Sequence, residues 1–262
     1  MENKKLNFDK FKVSPRKGSN IKKTIAVMSG KGGVGKSSVT SLIASKLRKD
    51  GKKIAILDAD ITGPSIPQAF GIEDRIRALE DGAMIPAKSK SGIEIMSINL
   101  VLDSKTSPVV WRSSIVTNVL KQFYSEADWG DLDYLLIDMP PGTSDIPLTV
   151  FQSLNIDGVI AVTTPQDLVG MVVEKSLNMA KMMGKPILGI VENMSYFKAP
   201  DTGKVYKIFG EGATDDIANK FAIDTVSKLA INPKITKMID EGRIEDVEEK
   251  DLDNIIKKIK NL

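Results

Sequence analysis

The stretch that decides the fold is Thr24-Ile-Ala-Val-Met28, then Ser29, then Gly30-Lys31-Gly32-Gly33-Val34-Gly35-Lys36-Ser37-Ser38. The second part fits the spacing G-x-x-x-x-G-K-[ST], with a β-rich run before it and a helical pattern over Lys36–Arg48 after it. Glycines let the backbone turn so that successive N–H groups point inward at phosphate oxygens, and the helix N-terminus adds its positive dipole end. The loop residues Gly30, Lys31, Gly32, Gly33, Val34, Gly35, Lys36, Ser37 and Ser38 are therefore expected to bind a nucleotide. In that reading Lys36 reaches the β- and γ-phosphates and the Ser37 hydroxyl ligates Mg²⁺. Lys31 is an extra long cation on the phosphate rim, placed to neutralise charge in its own site or in a facing subunit.

Working outward, short apolar runs alternate with amphipathic stretches. Strands are predicted at Thr24–Ser29, Lys53–Leu57, Ile93–Ile98, Tyr134–Ile137, Gly158–Thr163, Ile187–Val191 and Thr225–Leu229. Helices are predicted at Lys36–Arg48, Ser113–Phe123, Leu168–Met183, Ala213–Phe221 and Pro233–Asp240. Several strands are apolar on both faces, which suits a parallel sheet covered on both sides. The expected fold is a doubly wound α/β domain of the P-loop NTPase type, mostly parallel, with helices on both faces. Residues 71–92 and 196–212 read as excursions from it.

A phosphate loop needs a carboxylate for the Mg²⁺ shell. The strand Tyr134-Leu-Leu-Ile-Asp138 ends in one, and Met139-Pro-Pro-Gly142 follows as a switch-like turn. Asp138 is assigned to Mg²⁺, and the Gly142 N–H to the γ-phosphate. A second strand ends Ala55-Ile-Leu-Asp58-Ala59-Asp60, two carboxylates on one face of an extended chain. Asp60 is expected to position the attacking water, and Asp58 to support the Mg²⁺ shell. Lys31, Lys36 and Asp60 form the catalytic set. The chain has no N-K-x-D guanine-reading motif, which tilts the base toward adenine and the ligand toward ATP.

The 262 residues include no cysteine and no histidine. That removes disulfides, thiolate nucleophiles, cysteine-ligated metal and imidazole bases, and leaves carboxylates, lysines, hydroxyls and a bound ion to do any chemistry. Net charge is +3, but residues 1–23 hold eight basic and two acidic side chains; the other 29 basic and 32 acidic residues leave the body at −3. Residues 1–21 read as a basic, poorly ordered arm before a single domain over 22–262; apart from Phe8 and Phe11 no aromatics alternate with its charges, so nucleic acid is not expected. No apolar run approaches the ~18 residues of a membrane span, so a cytoplasmic location is expected. The end, Ile255-Ile-Lys-Lys-Ile-Lys-Asn-Leu262, is read first as a helix closing on the sheet and second as a basic amphipathic helix against lipid.

The loop, together with Asp58-Ala-Asp-Ile-Thr-Gly-Pro-Ser-Ile-Pro67, Trp111-Arg112, Asp128-Trp-Gly-Asp-Leu-Asp-Tyr134, Ile137-Asp-Met-Pro-Pro-Gly-Thr143, Thr163-Thr-Pro-Gln166 and Val191-Glu-Asn-Met-Ser195, closely resembles the Mrp/ApbC family of signature-lysine ATPases, known as iron–sulfur cluster carriers. The resemblance runs from about Lys22 to Arg243. It implies a homodimer that encloses ATP and Mg²⁺ with Lys31 at the interface, slow hydrolysis, and service to iron–sulfur assembly or apo-protein clients. By analogy with related signature-lysine ATPases, it implies that Asn193 reads the adenine edge.

Two departures stand out. The family's Trp-Arg-Gly-Pro is Trp111-Arg-Ser-Ser114 here. After Met194 the family reads Ser-Tyr-x-x-Cys-Pro-x-Cys-Gly, its two cysteines holding a bridging cluster; here the segment is Ser195-Tyr-Phe-Lys-Ala199-Pro-Asp-Thr202-Gly203. Ala199 has no ligand atom and the Thr202 hydroxyl does not replace a thiolate on iron. ATP chemistry carries over and thiolate cluster binding does not. Two alternatives remain open: a nucleotide-gated surface- or membrane-binding regulator of the partition and division-site kind, and a non-catalytic ATP-binding scaffold.

Overall fold

The computed structural model describes residues 9–61, 63, 65–101 and 113–262. Its strands are β1 Asn20–Ser29, β2 Ile54–Asp58, β3 Arg77–Ala78, β4 Met84–Ile85, β5 Ala87–Lys88, β6 Glu94–Met96, β7 Asp131–Asp138, β8 Gly158–Thr163, β9 Ile187–Lys198, β10 Val205–Tyr206 and β11 Val226–Ala230. Its α-helices are α1 Lys36–Lys49, α2 Ile66–Ala69, α3 Ser113–Glu126, α4 Asp145–Ser153, α5 Asp167–Met182, α6 Thr214–Phe221, α7 Pro233–Asp240 and α8 Asp253–Lys260.

The main sheet runs β10-β9-β8-β1-β7-β2-β6-β5, with β11 also on β9; only β5 and β10 are antiparallel to their neighbours. β3 and β4 pair separately. Side chains alternate along β1: Ile25 and Val27 join one apolar layer with Val39, Ile43 and Leu47 of α1 and Ile255 and Ile259 of α8. Ala26 and Met28 join the opposite layer with Leu120 and Phe123 of α3 and Val150 and Phe151 of α4. A strand buried on both faces explains why β1, β2, β7 and β8 read as near-continuous apolar runs. The predicted doubly wound sheet is the observed one.

Some segments differ from their reading. Helix α4 lies outside the predicted helices; its Pro147 sits in the first turn after Ser144, where a missing N–H costs nothing. The 196–212 excursion begins as strand: β9 continues to Lys198 and turns back antiparallel into β10. Within 71–92 lie the short strands β3, β4 and β5. Of the basic arm, residues 1–8 fall outside the described residues. Residues 9–21 lie on the body, where the Val13 N–H donates to Ser153 O at 2.9 Å and Arg16 pairs with Asp81 at 2.5 Å. β1 starts at Asn20, two residues before the expected domain boundary. Trp111-Arg112, Thr62 and Pro64 are outside the described residues. The terminal helix closes on the sheet, with Leu252, Ile255, Ile256 and Ile259 all buried. Among the described residues no helix is long and apolar enough to cross a membrane.

Candidate nucleotide and metal site

β1 lies at the centre of the sheet between β7 and β8, and the chain leaves opposite sides of it toward opposite layers. In open α/β sheets ligands bind beyond the carboxyl ends of strands at such a reversal. Here β1, β2 and β7 end together, with Asp58 of β2 paired to Asp138 of β7 and Val27 of β1 paired to the same Asp138.

The loop leaves β1 and enters α1 through Gly35, which caps the helix at φ 80°, a left-handed conformation natural to glycine. Two packing contacts fix its shape. A Cβ on Gly30 lies 2.7 Å from the Val172 carbonyl carbon of α5, so no side chain fits there. A Cβ on Gly35 lies 2.2 Å from Asn193 Nδ2. That Asn193 amide donates to the Val34 carbonyl at 2.9 Å. Lys31, Gly32 and Gly33 are exposed on the rim, Val34 is buried, and Gly35, Ser37 and Ser38 are half-buried.

Beneath the loop the polar groups converge on Asp138, which is completely buried. Its Oδ2 accepts from Lys36 Nζ at 2.7 Å and from Ser37 Oγ at 2.6 Å; its Oδ1 accepts from Thr40 Oγ1 at 2.7 Å. Lys36 Nζ also lies 3.6 Å from Asp60 Oδ2. Asp58, equally buried, accepts at Oδ2 from Ser97 Oγ at 3.0 Å and at Oδ1 from the Asp60 N–H at 3.2 Å. Burial first, and the Asp138 carboxylate second, push the Asp58 carboxyl up to about 8, while Lys36 opposes them. Three carboxyl groups, Asp58, Asp60 and Asp138, thus gather round the Lys36 ammonium, a balance that suits an added cation.

The oxygen donors Ser37, Asp58 and Asp138 fit Mg²⁺, which binds through one or two carboxylates plus substrate phosphates.

The structure therefore brings Lys36, Ser37, Asp58, Asp60 and Asp138 into one cluster, and places Lys31 on its exposed rim. Gly142 arrives beside the loop at φ 87°, with its N–H donating to Ser29 O at 2.8 Å. Asn193 reaches the loop through Val34 rather than through open space. Ala199 and Thr202 lie at the turn between β9 and β10, away from this cluster in the sheet order. The sequence reading missed Thr40 and Ser97, the hydroxyls that hold the two buried carboxylates. Thr40 was detectable as the residue one helical turn beyond Lys36; Ser97 had no local signal. It also missed Glu192, a buried carboxylate bonded by Ser195 at 2.5 Å and by Thr214.

A glycine-turned loop between a central parallel strand and a helix, with lysine, hydroxyl and strand-end aspartates gathered under it, defines a P-loop NTPase. A family profile described as "ParA: NUBPL iron-transfer P-loop NTPase" matches residues 20–262, and the chain belongs to that family. The iron–sulfur cluster carrier protein of Clostridium perfringens is 44% identical over 234 residues, 87% of this chain and 82% of that one. The iron–sulfur cluster carrier protein of Methanocaldococcus jannaschii is 44% identical over 225 residues, 86% of this chain and 78% of that one. Among solved structures, a nucleotide-binding protein from Archaeoglobus fulgidus in complex with ADP superposes with a TM-score of 0.80 at 42% identity, covering 89% of this chain and 91% of that one. The MinC:MinD cell division complex of Aquifex aeolicus gives a TM-score of 0.63 at 20% identity, covering 91% and 94%, a likeness of fold alone.

Proposed function

We propose that this chain binds ATP with Mg²⁺ at the loop, hydrolyses it slowly as a homodimer, and serves iron–sulfur assembly or apo-protein clients without holding a cluster on thiolates. The observation that carries the reading is the contact set of Lys36: 2.7 Å to Asp138 and 3.6 Å to Asp60, directly under the glycine loop. The names of the relatives in Clostridium perfringens and Methanocaldococcus jannaschii support the iron–sulfur part.

In this reading the loop N–H groups and Lys36 take the phosphates. Lys36 exchanges its bond to Asp138 for phosphate oxygens, which frees the carboxylate toward the metal side. Ser37, Asp138 and Asp58 would hold Mg²⁺, which would supply neutralisation of phosphate charge. Asp60 orients the attacking water and accepts its proton. Lys31, exposed on the rim, neutralises phosphate charge at the subunit interface. The Gly142 N–H leaves Ser29 O to reach the γ-phosphate, and Asn193 leaves Val34 O to reach adenine.

An iron–sulfur cluster is cargo in this scheme. The chain has no cysteine or histidine anywhere, and Ala199 and Thr202 offer iron no thiolate. Its iron–sulfur role is then exercised through partners, with ATP turnover as its own contribution.

The test is phosphate release and nucleotide binding by the purified chain with Mg²⁺. Wild type turns over ATP, and Lys36→Ala loses nucleotide binding; normal binding by Lys36→Ala sinks the assignment. A lipid-binding regulator draws no support from the terminal helix, whose apolar face is buried. ATP-dependent pelleting with anionic vesicles is the observation that revives it.

A further inference from the structure

The three donors on Asp138 are not equivalent. Lys36 and Ser37 both bond Oδ2, whereas among the described residues Thr40 alone bonds Oδ1, at 2.7 Å. On the reading above, both Oδ2 donors have other work once MgATP arrives: Lys36 goes to phosphate and Ser37 to the metal. Only Thr40 has no competing assignment. It is wholly buried on the inner face of α1, one turn past the loop.

A threonine in a helix commonly returns its proton to the carbonyl four residues back, and Thr40 Oγ1 lies 3.0 Å from Lys36 O. Its neighbours Ser41 and Ser45 make that bond alone, to Ser37 O at 2.8 Å and Ser41 O at 2.9 Å. Thr40 has one proton and two acceptors. The carboxylate is the nearer and, where ionised, the stronger, since a charge-assisted bond is roughly twice a neutral one. The main chain of Asp138 is pinned independently, with the Ala59 N–H donating to its carbonyl at 2.9 Å. The side-chain torsions are not held by that main-chain bond, and Thr40 restrains them through Oδ1.

We propose that Thr40 is a positioning residue for the metal: its hydroxyl fixes the Asp138 carboxylate through the nucleotide cycle while Lys36 and Ser37 change partners. This rests on the reading of the loop as an MgATP site. Its effect falls on metal affinity, and nucleotide binding without metal is left intact.

The experiment uses the full chain, a fluorescent ADP analogue and a Mg²⁺ titration, with binding in EDTA as the metal-free reference. Thr40→Val keeps shape and loses the hydroxyl; Thr40→Ser restores it; Ser41→Ala removes a bond made only within the helix. Thr40→Val is expected to raise the Mg²⁺ concentration for half-maximal effect by about 10- to 100-fold, the usual range for a group behind a metal ligand, with EDTA affinity within about twofold of wild type. Thr40→Ser and Ser41→Ala stay near wild type. A Mg²⁺ response unchanged in Thr40→Val, or lost equally in Thr40→Ser, overturns the proposal while leaving the nucleotide reading in place. A wild-type chain that binds no nucleotide overturns both.

Discussion

Asn193 holds the phosphate loop from behind: its amide donates to Val34 O at 2.9 Å and fills the place where a Gly35 side chain has to go. The two positions are therefore coupled. Gly35→Ala meets the amide at 2.2 Å and sits at φ 80°, where an alanine costs about 1–2 kcal/mol. Asn193→Ala removes the clash but not the strain. Thermal melts are expected to show Gly35→Ala strongly destabilised and the double variant recovering part of the loss. Strict additivity of the two single effects is the result that disproves the coupling.

Asp60 is the half-buried carboxylate 3.6 Å from Lys36 Nζ. Asp60→Asn keeps the shape and removes the base. ATP hydrolysis is expected to fall by about 10²- to 10⁴-fold with nucleotide binding retained. An unchanged hydrolysis rate in a single-turnover assay removes Asp60 from the chemistry.

Asp58 predicts an unusual pH profile for the metal-free protein. Its carboxyl is pushed up to about 8, from 3.8, by burial and by Asp138. Between these values the folded state keeps a proton that the unfolded chain has released. Its contribution is thus fully present below about pH 4 and is lost as pH rises through 8, with a slope of at most about 1.4 kcal/mol per pH unit. In EDTA, Tm of wild type is expected to decline from pH 5 to 8 relative to Asp58→Asn, which has no proton to lose. Parallel profiles for the two proteins contradict this.

The β9–β10 turn predicts a gain of function. The Ala199 N–H donates to Lys204 O at 2.9 Å and the Gly203 N–H returns to Ala199 O at 2.8 Å, so residues 199 and 202 share one tight turn. Anaerobic reconstitution of Ala199→Cys, Thr202→Cys is expected to give a coloured iron–sulfur species, with none on wild type. A stable cluster on the wild-type chain refutes the claim that its ligands are gone.

The strands of the sheet centre were legible because burial on both faces leaves an apolar run with no polar beat, as in Val159-Ile-Ala-Val162. The loop was legible because glycine spacing and lysine position are local. Asp58 and Asp138 were legible as strand-end residues. Their partners were not: Ser97 is 39 positions from Asp58, and Thr40 is 98 from Asp138, so only the β7–β2–β6 pairing and the seat of α1 bring them together. Helix α4 has Pro147 in its first turn, a position that becomes compatible with a helix only once the start at Ser144 is known. The Asn193–Val34 bond spans 159 positions and depends on β9 passing directly behind the loop.

The hairpin tip has one further consequence. It is pinned by main-chain bonds, and Thr202 faces solvent, its hydrogen bonds among the described residues going to Asp201 and Lys204. Side-chain identity there is accordingly decoupled from folding and from the loop. Replacements at 199 and 202 therefore change what the turn offers a ligand while leaving the contacts of Lys36, Asp58 and Asp138 as they are.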